Sequence, residues 1–246
     1  SIPNEQNVAR VVLENGITIL VYENFSAQSV VIAGSLEAAG LRDVPEKNGL
    51  AALVASSLIR GTETRDFDLL HSTMEDLAAD LSFGASKHNT RYSGKALAED
   101  FRVLVDLLAD TLRHPVFPQE HIERLRGEWL TGLRYRQQDS SWLASRAFRE
   151  MLYPFEHPYH HGTQGTLDSI PQLTLEDMRD FHRQHYGPQG MVVVIVGAIK
   201  ADEAIAVITE YFGDWHNEMQ TAPPHLPELE PVIGTQRGNI VVPGKK

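Results

Sequence analysis

The sequence contains no cysteine among its 246 residues. The chain therefore forms no disulfide, binds no iron–sulfur cluster or cysteine-ligated zinc, and uses no thiolate nucleophile. It also has no apolar run near the ~18 residues that a membrane-spanning helix needs. The first seven residues are polar and lack a basic segment followed by an apolar one, so we expect no signal peptide here. These features favour a cytoplasmic protein, and a leader removed before residue 1 is the alternative.

Positive charge is scarce as well. The chain has 22 Lys and Arg against 33 Asp and Glu, a formal net charge of −11. Nucleic-acid binding needs clustered cations, so we expect no nucleic-acid partner. The charge suits basic ligands such as cationic peptides, although solubility alone would explain it. Hydrophobic residues make up 42%, which is ordinary for a globular chain with a substantial core.

Apolar patterns predict alternating groups of strands and helices. An Asn15-Gly16 turn favours a hairpin between the first two strands, and Asp66 is a good helix cap. The continuous apolar run 191–196 predicts a buried central strand. Together the segments predict an α+β fold, with helices packed on one face of a largely antiparallel sheet. The predicted strands are 8–13, 17–22, 29–36, 81–86, 90–95, 191–196 and 239–242, and the predicted helices 49–60, 66–79, 98–113, 119–137, 141–153, 174–186 and 201–212.

One segment and its surroundings identify a family. Residues 49–62 read GLAALVASSLIRGT, which resembles the zinc-binding helix of the pitrilysin/insulinase-like metallopeptidases, G-L-A-H-x-L-E-H-x-x-x-[KR]-G-T. Four later segments resemble the family in the same order: 80–92, 114–118, 157–170 and 177–197. The resemblance implies the fold of mitochondrial processing peptidase.

The resemblance also implies a division of the chain. Family members usually carry two such halves joined by a linker, and residues 1–220 correspond to the first. Residues 221–246 begin with a proline-rich stretch that is typical of a stiff linker. They resemble the family's linker and the start of a second half. We therefore expect a piece of a longer protein, or a half-length one.

The resemblance further implies zinc-dependent peptide hydrolysis, and the residues for it are missing. In the family two histidines four apart bind zinc from one helix face, and a glutamate between them is the general base. Ala52 and Ser56 occupy the histidine positions and Ala55 that of the base. A distal glutamate ligand falls at Gly132, with Thr131 and Leu133 no better. We therefore expect no catalytic residue and no cofactor in this chain, with zinc only in a partner subunit.

Histidines elsewhere offer weaker candidates. His157, His160 and His161 lie in one loop and are a candidate for a relocated metal site, but no carboxylate accompanies them at regular spacing. A structural loop is the better interpretation, because His157 belongs to the family pattern. His182 and His185 lie three apart on a predicted helix, where packing explains them more simply.

A substrate site remains as a candidate. The family binds peptides by strand addition to an edge strand, which uses main-chain hydrogen bonds and survives loss of the metal. An ordinary shielded edge strand is the equal alternative. Lys87 and His88 would flank a bound peptide. The corresponding residues are Ser82, Phe83, Gly84, Ala85 and Ser86.

Three functions follow from these observations. The first is a non-catalytic half or subunit of an insulinase-like peptidase, acting with a homologous subunit that carries H-x-x-E-H, or within a homo-oligomer, on a peptide substrate. The second is a structural or peptide-binding protein, like the peptidase-derived core subunits of a respiratory complex. The third is a zinc enzyme with a relocated site at His157, His160 and His161.

Overall fold

The computed structural model describes residues 2–230 and 233–239, and its described part contains one six-stranded mixed sheet. The strands are β1 (Ala9–Val12), β2 (Thr18–Glu23), β3 (Ser29–Leu36), β4 (Asp80–Ala85), β5 (Thr90–Leu97) and β6 (Val192–Gly197). Their order is β1-β2-β6-β3-β5-β4. Of the neighbouring pairs in this sheet, β2 and β6 run parallel and the other four are antiparallel. The predicted, largely antiparallel sheet is confirmed.

The hairpin between β1 and β2 turns at Asn15-Gly16, as predicted. Gly16 takes a φ of +95°, a left-handed conformation that favours glycine. The Asn15 side chain donates to the carbonyl oxygens of Phe212 (2.7 Å) and Trp215 (3.1 Å). These bonds hold the turn against residues that lie 197 and 200 positions later in the chain.

Seven helices follow the predicted positions closely. They are α1 (Leu50–Ser57), α2 (Phe67–Asp76), α3 (Phe101–Arg113), α4 (Gln119–Arg136), α5 (Ser140–Leu152), α6 (Leu175–His185) and α7 (Ala201–Phe212). Asp66 caps α2 by accepting from the Leu69 N–H. The prediction extended this helix to residue 79, but α2 ends at Asp76 because Ala78 adopts a positive φ of 47°. The last turn of predicted helix 49–60 is a 3₁₀ turn, Leu58–Arg60.

The helices bury one face of the sheet. Strand β6 lies in the middle of the sheet, and its alternate residues Val193 and Ile195 are fully buried. Val192, Val194 and Val196 point to the opposite face and are only half-buried. The core between sheet and helices includes Ile19, Ile32, Leu53, Leu104, Leu108 and Phe212, each with no exposed surface.

The described residues after Gln220 lie outside this core. Residues 221–230 and 233–239 contain no helix or strand. Arg42 holds the start of this segment, because its guanidinium donates to the Thr221 carbonyl oxygen at 2.6 Å. The predicted strand 239–242 lies, apart from Asn239, outside the described residues. Within the described ranges, no helix has both the length and the apolar character that crossing a bilayer requires.

Candidate functional site

Helix α1 is held at its N-terminus by a distant carboxylate. Asp43 accepts from the Gly49 N–H and the Ala51 N–H, both at 2.9 Å. Gly49 has a φ of +96°, and a Cβ there would approach Gly165 Cα to 2.8 Å, so only glycine fits. Burial raises the pKa of Asp43 to about 7. The loop that contains Gly165 therefore packs directly on the start of α1.

The four positions predicted to match the family's zinc ligands and base carry no metal-binding side chain. Ala52 is 5% exposed, Ala55 is fully buried and Ser56 is half-buried. Gly132 lies on the exposed side of α4, where a Cβ would meet no described atom within 4 Å. Zinc needs imidazole, thiolate or carboxylate ligands, and two methyl groups, a hydroxyl and a hydrogen atom do not fit it. Across the described residues, no group of three His, Asp or Glu side chains is placed to hold a metal ion.

The three histidines of loop 154–168 each have a hydrogen-bond partner within the same part of the chain. His157 Nδ1 accepts from the Tyr159 N–H at 3.1 Å, and the ring stacks on Tyr153. The rings of His160 and His161 each lie 2.8 Å from a backbone carbonyl oxygen, those of Tyr153 and Phe155 respectively. These contacts support the structural interpretation of the loop over a relocated metal site.

The two histidines of α6 have separate environments. His182 Nε2 lies 2.8 Å from the Leu112 carbonyl oxygen, and burial lowers its pKa to about 4. The His185 ring instead packs against Phe181, with ring centres 4.7 Å apart, and burial also lowers its pKa to about 4. Both rings are neutral at pH 7, and they face different partners.

Strand β4 lies at one edge of the described sheet, where β5 is its neighbour on one side alone. The hairpin between them closes with the Ser86 N–H donating to the Asn89 carbonyl oxygen at 2.8 Å. Antiparallel ladders alternate between hydrogen-bonded and non-hydrogen-bonded pairs. Counting back from Ser86, Gly84 and Ser82 bond to β5. The backbone N–H and C=O groups of Ala85, Phe83 and Leu81 therefore point away from the sheet.

The side chains of this edge divide between two faces. Ser82 and Gly84 are exposed, whereas Phe83 and Ala85 are half-buried beside α1. The face with Ser82 and Gly84 borders a shallow groove over β3 and β5. Beyond the strand, His88 Nε2 lies 2.7 Å from the Tyr159 hydroxyl oxygen, and burial lowers the pKa of Lys87. The edge can thus accept an extended chain through its main-chain groups.

A cavity of about 740 Å³ next to this edge was not anticipated from the sequence. It lies between α5, the end of α4 and loop 154–168, and Lys87 forms part of its wall. Its signal in the sequence is the interleaving of aromatic and arginine residues along α5, namely Trp142, Arg146, Phe148 and Arg149. That pattern also fits an ordinary amphipathic helix, so it does not single out a cavity.

Comparison with protein families agrees with this fold. The family model described as insulinase (peptidase family M16) matches residues 19–154. A second model, described as the peptidase M16 inactive domain, matches residues 172–244. Between them they cover most of the helices and strands described above.

Individual members of this family are similar in sequence to most of the chain. The β subunit of mitochondrial processing peptidase from Saccharomyces cerevisiae is 25% identical over 232 residues, covering 94% of this chain and 48% of the relative. A probable β subunit from Arabidopsis thaliana is 24% identical over 81% of this chain and 38% of the relative. The chain therefore spans about half the length of the curated relatives it matches.

Two solved structures share the fold. A peptidase M16 inactive domain from Pseudomonas fluorescens is 25% identical, with a TM-score of 0.76 over 91% of this chain and 53% of that one. The first half of the periplasmic protease PqqL from Escherichia coli is 20% identical, with a TM-score of 0.81 over 92% of this chain and 50% of that one.

Proposed function

This chain belongs to the insulinase family (peptidase family M16), and from that premise we propose that it is a non-catalytic half or subunit of a metallopeptidase. In this role it holds the peptide substrate and acts with a homologous subunit that carries H-x-x-E-H. We propose a cytoplasmic setting for that assembly.

One observation carries the proposal: the scaffold is present while the ligand side chains are not. Asp43 still caps α1 and Gly49 still takes its left-handed conformation. Yet Ala52, Ala55 and Ser56 leave α1 without an imidazole or a carboxylate. A second subunit must then supply zinc and base.

The open edge of β4 is the proposed binding site for the peptide substrate. Its outward N–H and C=O groups at Leu81, Phe83 and Ala85 suit main-chain pairing with an extended peptide. Such pairing needs no particular side chain, so it persists when the metal ligands are lost. The candidate substrate-binding segment 82–86 keeps this geometry.

The test is reconstitution. The chain is purified, an H-x-x-E-H relative encoded with it is purified separately, and hydrolysis of a fluorogenic peptide is measured for each and for the mixture. We expect neither to match the mixture, and we expect a chelator to abolish the activity of the mixture.

A variant of the partner completes the design. Replacing the glutamate of the partner's H-x-x-E-H by Gln should silence the mixture, because the base resides there. A stable complex that never cleaves peptide would instead favour the structural, respiratory-core-like function. A mixture whose activity persists after that replacement would overturn the proposed division of roles.

A further inference from the structure

The cavity between α5 and loop 154–168 differs in charge from the rest of the chain. The chain carries a formal net charge of −11. Four cationic side chains nevertheless line this one cavity, against two carboxylates, Glu150 and Asp168. The cations are Lys87, Arg136, Arg146 and Arg149.

Within the described part of the chain, three of these cations have no ion-pair partner. Arg146 is engaged, with Nε 3.3 Å from Glu150 and its guanidinium 5.4 Å from the Trp142 ring centre. None of the ion pairs found within residues 2–230 and 233–239 includes Lys87, Arg136 or Arg149. An excess of cations over carboxylates in one cavity favours an anionic ligand.

Two of the unpaired cations lie near adjacent residues of loop 154–168. The Arg149 guanidinium lies beside Gly162, 3.4 Å from where a Cβ would be. The Lys87 stem and Thr163 both lie 3.7 Å from the corresponding position at Gly40. Burial lowers the pKa of Lys87, and the charge of Arg149 lowers it further. Asp43, the anion that acts on Lys87, is already engaged by two backbone N–H groups of α1.

The remaining wall suits an amino-acid residue. Asn48 is 2% exposed and donates through Nδ2 to the Gly162 carbonyl oxygen, but its Oδ1 has no hydrogen-bond partner among the described residues. A buried acceptor of this kind is matched by an N–H donor. Trp142, Tyr153 and Tyr159 supply aromatic surface.

One wall of the cavity lies close in sequence to the end of the proposed peptide edge. Strand β4 ends at Ala85, and Lys87 stands two residues further on, in the wall of the cavity. A peptide paired with Phe83 and Ala85 that continued past the end of the strand would reach this wall.

We propose that the cavity binds a carboxylate-bearing residue, through an acidic side chain or the C-terminal carboxylate, of the peptide held on β4. The position of that residue rests on the proposed strand addition. Lys87 and Arg149 bind the carboxylate, and the aromatic side chains contact the rest of the residue. This site makes the chain selective for an acidic feature at one end of the bound segment.

The experiment uses one acetylated, extended heptapeptide in three versions: amidated without acidic residues, amidated with one glutamate, and free at its C-terminus. Dissociation constants are measured by calorimetry on the full chain. We expect at least one carboxylate version to bind about tenfold more tightly than the acid-free amide. The winning version identifies the source of the carboxylate, and equal affinities would overturn the proposal.

Variants locate the effect. Arg149→Gln should bring the carboxylate peptides to the affinity of the acid-free amide, while Arg10→Gln, on β1 at the opposite edge of the sheet, should change nothing. Circular dichroism checks that each variant is folded. Should Arg149→Gln not fold, salt gives the same information: raising NaCl should weaken only the carboxylate peptides.

A small probe separates this proposal from strand addition. N-acetylphenylalanine and its amide are too short to pair along β4. We expect the acid to bind more tightly than the amide, both to the parent chain and to Ala85→Pro. If Ala85→Pro leaves heptapeptide affinity unchanged while the acid still binds more tightly than the amide, strand addition fails and the carboxylate site stands. Equal binding of acid and amide, or binding of neither, contradicts the carboxylate site whatever the heptapeptides do.

Discussion

Helix α1 and strand β4 pack against each other. The role that the family resemblance implies for α1 depends on side chains, whereas the role proposed for β4 depends on backbone groups. Seven of the eight residues of α1 are buried, and the chemistry that the family resemblance implies would need side chains other than those of Ala52, Ala55 and Ser56. The edge of β4 depends on backbone groups that no ordinary substitution deletes. Under the proposed function, substitutions can remove the catalytic side chains of α1 but leave the pairing groups of β4 in place.

The largest effect is expected when a carboxylate is introduced into the buried helix α1. Ala55→Glu should reduce the free energy of unfolding by about 4 kcal/mol, because it places an unpaired charge where no surface is exposed. Urea denaturation measures the loss.

The matched control introduces glutamate at Gly132, the second position where the family pattern has a glutamate. Gly132 is exposed, and a Cβ there would have no described atom within 4 Å. Gly132→Glu should therefore be neutral, or stabilising by about 0.5 kcal/mol through helix propensity. Equal losses at the two positions would show that α1 is not the closed region described here.

Truncating a buried side chain should reduce stability more than truncating an exposed one. Leu53→Ala removes a fully buried side chain of α1 and should reduce the unfolding free energy by about 3 kcal/mol. Leu97→Ala, at the end of β5 with 45% of the side chain exposed, should change it by less than about 1 kcal/mol. Thermal and urea unfolding check both values, and similar losses would contradict the assigned core.

On the open side, the comparison predicts an effect on binding rather than on stability. Ala85→Pro removes one outward N–H and should weaken peptide binding about fivefold. Gly84→Ala adds a methyl group into open space and leaves every N–H in place, so its affinity should match that of the parent chain. Unchanged affinity for Ala85→Pro would argue against strand addition.

Stability should also depend on pH, because two buried groups of opposite effect have shifted pKa values. The pKa of His182 falls from 6.5 in the unfolded chain to about 4 in the fold, so stability should decrease as the pH is lowered from about 6.5 to 4. Asp43 acts oppositely: its pKa rises to about 7, and its protonation favours the fold as the pH is lowered from about 7 to 4.

Two variants separate these contributions. His182→Gln should flatten the loss of stability on acidification, whereas Asp43→Asn should make that loss steeper. Unfolding free energies at pH 4.5, 5.5 and 7 provide the profile. Parallel profiles for the parent chain and both variants would contradict the assignment.

Local patterns predicted most of the fold. The apolar run 191–196 indicated the buried central strand β6, and Asp66 indicated the cap of α2, which is present. Each of these features depends on residues close together in the chain. The assignment of Ala52, Ala55, Ser56 and Gly132 to the family's zinc ligands and base stays a prediction.

Features that depend on distant residues were out of reach. Asp43 caps a helix that begins seven residues later, through a loop whose course no local pattern specifies. The cavity joins Lys87 to side chains of α5 some sixty residues away. The division at residue 220, the linker function of 221–246 and the cytoplasmic location stay predictions.

Peptide cleavage by the purified chain alone decides whether it is non-catalytic. A panel of fluorogenic peptides is incubated with this chain, with and without a chelator, and hydrolysis is followed over time. The loss of imidazole and carboxylate from α1 predicts no chelator-sensitive hydrolysis. Hydrolysis that the chelator abolishes and zinc restores would show that a catalyst remains in this chain.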